Sequence, residues 1–498
     1  MPRTGYRSSS ALSIELDEAQ PTYFPGDTLE GYVTCDNISP GRQSPSSAVR
    51  LKLFGRAKTK YTVETTHGKA IERGRAVLFE EQRTLSKDPI CKDGQHAWPF
   101  SITIPRTSSP GFATRGDEFK PDGGYLSTTD DSSPRQAIDV TKHALPSIMY
   151  YFSQSAMSGK TVEAYIEYVL TAELGDTKAS LPLYIRQRSV QSPITNYRMR
   201  SRSFPQVTKT PRLLSEHADR PLTFRQKSGM VFRPSKTPKY AYTIEVEFPT
   251  VIQIEHPDPI PLKICLVPNL DPEKTTICPD KSISSLPPVQ VLSMEIKLKG
   301  DVHIRCPGIL WDSGTVKNHT FDFPFRRYFK PVVIPVVQPA HSKHIISVPE
   351  DQTVQQSSFL APEPIANGLT ASPSIDPVLQ SSPLNLGSYL SILLGSSASS
   401  TLKQPAISFK RQVYPTFSTY NISLTYTLKW MISLSCADEG YNINGETPVT
   451  ILAPSEEQEE SKERQLGTAG MKKNYNDLEE GFGAAMQFIG QILQAVTG

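Results

Sequence analysis

Three stretches of strict two-residue alternation constrain this chain more than anything else in its sequence. Over 162–174, Val162, Ala164, Ile166, Tyr168, Leu170, Ala172 and Leu174 share one parity, and Glu163, Glu167, Thr171 and Glu173 share the other. A helix would scatter those carboxylates around its circumference, whereas a strand gathers them on its wet face. Over 292–304, Leu292, Met294, Ile296, Leu298, Val302 and Ile304 alternate with Glu295, Lys297 and Lys299. The longest run, 420–434, places Tyr420, Ile422, Leu424, Tyr426, Leu428, Trp430, Ile432 and Leu434 on one face. Shorter strands are expected at 48–56, 98–104, 181–186 and 242–248. Many strands with Gly/Pro turns and no alternating helices predict antiparallel sandwiches, not βαβ units.

With 498 residues, the chain has room for two or three domains. Its 37% apolar content and 43 prolines predict folded domains interrupted by disordered stretches. Residues 186–239 hold 13 Lys/Arg and two acids, which reads as a basic linker over 191–238. Residues 347–405 hold 13 Ser and seven Pro, which reads as a disordered insertion. A smaller disordered loop is expected at 106–141. The expected domains are therefore sandwiches over 11–190 and 239–454. They are followed by an acidic, solvated tail from 455 to 498 that ends in an amphipathic helix over 476–496.

A formal net charge of +3 gives no reason to expect nucleic acid as a partner. The six cysteines form no CxxC pair, and no zinc-ligand spacing appears, so no metal or cofactor is expected. No apolar segment of signal-peptide or membrane-spanning length is found, which predicts a cytoplasmic protein. The N-x-S/T triplets at Asn37, Asn318 and Asn421 then read as chance matches. No GxSxG elbow, P-loop or dinucleotide fingerprint supports an enzyme.

Five stretches, in order, resemble the arrestin family, and in particular the fungal α-arrestin-like trafficking adaptors. The first is YFPGDTLEGYV, with Pro25, Gly26 and Asp27 making a turn and Gly31 opening the next strand. The second is VRLKLFGRA. The third is GQHAWPFSITIP, with Gly94, Pro99, Phe100 and Pro105. The fourth is Leu-Pro-Ser at 145–147 followed by the 162–174 strand. The fifth is the strand carrying Tyr420 and Tyr426. The resemblance implies an all-β fold of two tandem immunoglobulin-like sandwiches and a non-enzymatic adaptor. It implies partners among cytosolic tails of membrane transporters or receptors, and a HECT-type ubiquitin ligase with WW domains. It also implies recruitment to the plasma membrane or endosomes, as a peripheral association.

The family's Pro-Pro-x-Tyr ligase motif is missing here. The nearest sequence is Leu181-Pro182-Leu183-Tyr184, for which a strand is the favoured reading. Arg198, Arg200 and Arg202 are the candidate readers of acidic or phosphorylated tails. Two other functions fit an all-β chain: a retromer-like coat subunit, and a carbohydrate-binding sandwich.

Overall fold

The alternating stretches all become strands. The computed structural model describes residues 12–35, 48–109, 144–214, 237–277, 286–306, 315–337, 382–395 and 413–461, with short gaps, and isolated positions over 222–232. The N-terminal strands are β1 (Ser13–Leu16), β2 (Thr28–Cys35), β3 (Arg50–Thr65), β4 (Gly68–Thr84), β5 (Ile90–Lys92), β6 (Gln95–Thr103), β7 (Met149–Ser155), β8 (Lys160–Leu174) and β9 (Thr177–Leu183). The C-terminal strands are β10 (Arg200–Lys209), β11 (Lys239–Phe248), β12 (Val251–Gln253), β13 (Lys263–Asn269), β14 (Val289–Cys306), β15 (Thr315–Val333), β16 (Leu384–Asn385), β17 (Phe417–Ser418), β18 (Ile422–Cys436) and β19 (Glu439–Leu452).

Four sheets result. One runs β1-β2-β6-β5, and its companion runs β4-β3-β8-β7 with β9 also on β8. In the C-terminal half one sheet runs β10-β11-β13-β16, and the other runs β12-β19-β18-β14-β15 with β17 on β18. All strand pairs are antiparallel except β12 with β19. The fold is all-β, as expected. Leu51, Leu53, Trp98, Ile166, Tyr168 and Leu170 are buried in the first half, and Ile244, Val246, Ile264, Leu424, Trp430 and Ile432 in the second. The opening turn behaves as its residues require. Gly26 has φ +101°, and the Asp27 carboxylate accepts from the Phe24 amide at 2.8 Å. At Gly31, a Cβ would lie 2.1 Å from the Glu15 carbonyl oxygen, so a side chain there would push β1 away from β2.

Several expectations need correction. The 191–238 stretch is not all linker, because β10 lies within it and pairs with β11 over ten residues. Its only buried residue is Thr208, so its sequence carries almost no apolar signal. Within the 347–405 stretch, Leu386, Leu390, Ile392 and Leu394 are buried and 384–385 pair with β13. Four apolar anchors inside a serine-rich composition suffice to dock that short segment. Leu292 does not share the face of Met294. A β-bulge between Val291 and Ser293 inserts one residue and flips the parity, so Val289 and Val291 take the core positions instead. The acidic stretch after Pro454 is not simply solvated, since residues 456–461 are helical and Glu459 is buried. The 476–496 helix, Gly94 and most of the 106–141 loop lie outside the described residues.

Candidate interaction site

Strands β3 and β8 are neighbours inside a sheet, with Leu51, Leu53 and Ala57 facing the core. The opposite parity of β3, carrying Lys52, Phe54, Arg56 and Lys58, faces away from it. Such positions normally hold solvated side chains. Here Lys58 is only 7% and Glu167 only 6% exposed. The register sets Arg56 beside Glu167 and Lys58 beside Tyr165 on β8. On the other flank it sets Arg75 of β4 beside Lys58.

One carboxylate serves two of these cations. The Arg56 Nε lies 2.5 Å from Glu167 Oε1, and the Lys58 Nζ lies 3.6 Å from the same oxygen. Lys58 also sits 5.7 Å from the centre of the Tyr165 ring, and Arg56 lies over Phe54 at 5.1 Å. Arg75 has no ion-pair partner among the described residues, and its Nε is buried without a hydrogen bond. Burial, followed by repulsion from Arg56, pulls the Lys58 pKa down to about 8 against the attraction of Glu167. A buried lysine and a partly buried arginine therefore share one buried carboxylate, with a second partly buried arginine, Arg75, beside them. An arriving anion would relieve that imbalance, whereas a neutral ligand would not.

The residues flagged in the sequence fall elsewhere. Leu181 and Pro182 are in β9, registered against Leu170 and Val169. Tyr184 is half-buried, and its carbonyl accepts from the Tyr23 amide at 2.9 Å. It lines a small cavity between the two halves with Ser147, Arg186, Gln187, Tyr414 and Pro454. A motif fixed in this way cannot present its Pro and Tyr to an aromatic groove. Arg198 occupies a turn with φ +47°, ahead of β10. Arg200 and Arg202 share a parity with Phe204, whose ring packs edge-on to Trp430 at 5.6 Å, and Arg202 lies 5.4 Å over that same ring. They lie on β10, the end strand of its sheet among the described residues.

The two halves are pinned to each other at two places. The Thr59 hydroxyl donates to the Arg305 carbonyl at 2.6 Å, and the Asn421 amide donates to the Ala57 carbonyl at 3.2 Å. Asn421 is fully buried, which excludes its triplet as a glycan acceptor in the folded chain. At the other place Arg186 pairs with Glu459 at 3.1 Å, and the Gln253 side chain accepts from the Ile194 amide and donates to the Ala453 carbonyl.

The Arg56–Lys58–Arg75 cluster escaped the sequence reading because 162–174 looks amphipathic. Its supposed wet face also carries Tyr165 and Val169, both buried, and that interleaving was the available signal. Among the described residues, no group of three His, Cys, Asp or Glu could hold a metal ion.

Two pairs of antiparallel sheets with pinned halves define an all-β protein built as tandem sandwiches. Residues 12–124 match the model for the arrestin (or S-antigen) N-terminal domain. Comparison with curated proteins finds no match.

Proposed function

We propose that this protein is a non-enzymatic adaptor whose N-terminal sandwich grips an acidic or phosphorylated segment of another protein. The observation that carries the reading is the buried Lys58, flanked by the partly buried Arg56 and Arg75, facing the one buried carboxylate of Glu167. A phosphate or carboxylate reaching Lys58 and Arg75 would form charge-assisted hydrogen bonds in a low-dielectric setting, where they are strongest. The arrestin N-terminal domain match supports an adaptor or trafficking role. The finer reading is a fungal α-arrestin-like protein with a C-terminal arrestin domain. It would bind cytosolic tails of transporters or receptors and link them to ubiquitination and endocytosis from the cytoplasm. The ligase contact would have to lie outside Leu181–Tyr184, since that stretch is committed to β9 and the interdomain cavity.

Capture by the tagged chain from cytosol and detergent-solubilised membranes tests the role. Enrichment of membrane proteins or a ubiquitin ligase, lost on Lys58→Ala/Arg75→Ala, is the expected result. A stoichiometric large assembly that survives size exclusion would favour a coat subunit instead.

A further inference from the structure

One of the two pins between the halves is made by a short helix with an unusual charge. Residues 456–461 are helical and read EEQEES, with carboxylates at Glu456, Glu457, Glu459 and Glu460. Ser455 and Gln458 cap the start reciprocally: the Ser455 amide donates to the Gln458 side chain at 2.6 Å, and the Ser455 hydroxyl accepts from the Gln458 amide at 3.4 Å. The helix follows β19 of the C-terminal half and docks on the chain that leaves β9 of the N-terminal half. The Glu456 and Glu457 amides, which a helix start leaves without internal partners, donate to the Val190 and Gln191 carbonyls at 3.0 and 3.1 Å. Arg186 pairs with the buried Glu459 at 3.1 Å. The Ser192 hydroxyl completes the dock by donating to Glu457 Oε1 at 2.7 Å.

Ser192 is exposed and is followed by Pro193. Thr210, Thr237 and Thr447 also precede proline, but they are buried. A proline ring biases the residue before it toward extended backbone, the form in which a kinase cleft takes a substrate. We propose that Ser192 is a phosphorylation site for a proline-directed kinase, and that its phosphate undocks the 456–461 helix from the seam between the halves. The γ-phosphoryl group of a nucleoside triphosphate moves to the Ser192 Oγ, its bond to the leaving diphosphate breaks, and the hydroxyl proton passes to the kinase's base. The modified side chain has lost the hydrogen that it gave to Glu457 and carries a charge of about −1.5 to −2 against a helix with four carboxylates. The helix start offers that charge no compensation, because the Glu456, Glu457 and Gln458 amides are already engaged. Undocking frees Arg186 and removes one of the two pins. This device is separate from the Lys58–Arg75 cluster, so either assignment can fail while the other stands.

Treatment of the full chain with a mitogen-activated protein kinase and ATP, followed by mass spectrometry and hydrogen exchange, tests it. Phosphate is expected on Ser192. The Glu456 and Glu457 amides should then exchange at least about tenfold faster, while the amides of β18 keep their protection. Ser192→Ala, carried through the same treatment, should keep slow exchange at Glu456 and Glu457. An unmodified Ser192 in the folded chain would overturn the proposal, and so would a phosphorylated Ser192 whose helix amides stay protected. Slower exchange after phosphorylation would overturn it too, by showing that the phosphate recruits Arg186 and tightens the dock. Fast exchange in kinase-treated Ser192→Ala would move the release to a different modified residue and overturn the assignment to Ser192.

Discussion

Arg200 and Arg202 on β10 and the trio Arg56, Lys58 and Arg75 on β3 and β4 look equally basic in sequence, but they lie in opposite physical settings. Strand β10 is exposed along most of its length and, among the described residues, pairs only with β11. It also contains Pro205, which has no amide hydrogen to offer a further strand. Charges at an exposed edge, some pointing inward, together with a proline, are the devices that stop sheets from adding to one another. The β3–β4 trio centres on a buried lysine, with two partly buried arginines, and faces one buried carboxylate. Density of charge alone therefore gives no reason to propose a binding site; charge withdrawn from water without enough partners does.

The sharpest way to break that contrast is to remove its carboxylates. Glu167→Gln leaves the buried Lys58 and the partly buried Arg56 without their shared carboxylate and should cost about 3 kcal/mol of stability in urea unfolding. Glu247→Gln, which frees Lys263 in a pair 40% and 41% exposed, should cost less than about 1 kcal/mol. Similar losses for both would mean that the cluster is no less hydrated than the surface pair.

Removing a cation should act in the other direction. Arg75→Met takes away a partly buried charge whose Nε has no hydrogen bond, so it should leave stability unchanged or raise it by about 1 kcal/mol. Affinity for an acidic segment should fall about tenfold in the same variant. A clear loss of stability would show that Arg75 is paired in solution.

The Lys58 pKa, lowered to about 8, sets a pH window. Between about 8 and the ordinary lysine value near 10.4, the unfolded chain holds more protons at this site than the folded one, so the Lys58 contribution to stability rises with pH. Anion affinity should move the opposite way and weaken as pH rises through about 8 and Lys58 loses its charge. Calorimetric titration at several pH values separates the two trends, and a flat affinity would remove Lys58 from the site.

The smallest effect is expected at the edge strand. Arg200→Ala/Arg202→Ala should shift stability by no more than about 0.5 kcal/mol and leave peptide affinity unchanged. Slow aggregation should increase in light scattering, since the edge loses its protection.

The fold was largely legible because sandwich strands repeat with a period of two. Every residue from Tyr420 to Leu434 assigned to the core face is buried. The misses share a cause. At Leu292 a bulge reversed the parity without leaving a mark in composition. Strand β10 buries only Thr208, so a polar edge read as linker. Glu167 and Glu459 looked solvated because burial of a charge depends on which distant cations come to face it, here Arg56 from β3 and Arg186 from the segment after β9. The candidate site was less legible than the fold for the same reason: its members come from 56–58, 75 and 165–167, and only the register of β4, β3 and β8 brings them together.

The most direct test is a fluorescence-anisotropy titration of the full chain with one acidic peptide in phosphorylated and unphosphorylated forms, alongside Lys58→Ala/Arg75→Ala and Arg200→Ala/Arg202→Ala. Preference for the phosphorylated form, abolished by the first pair and untouched by the second, is the predicted result. Equal binding of both forms, or loss on the second pair alone, would contradict it.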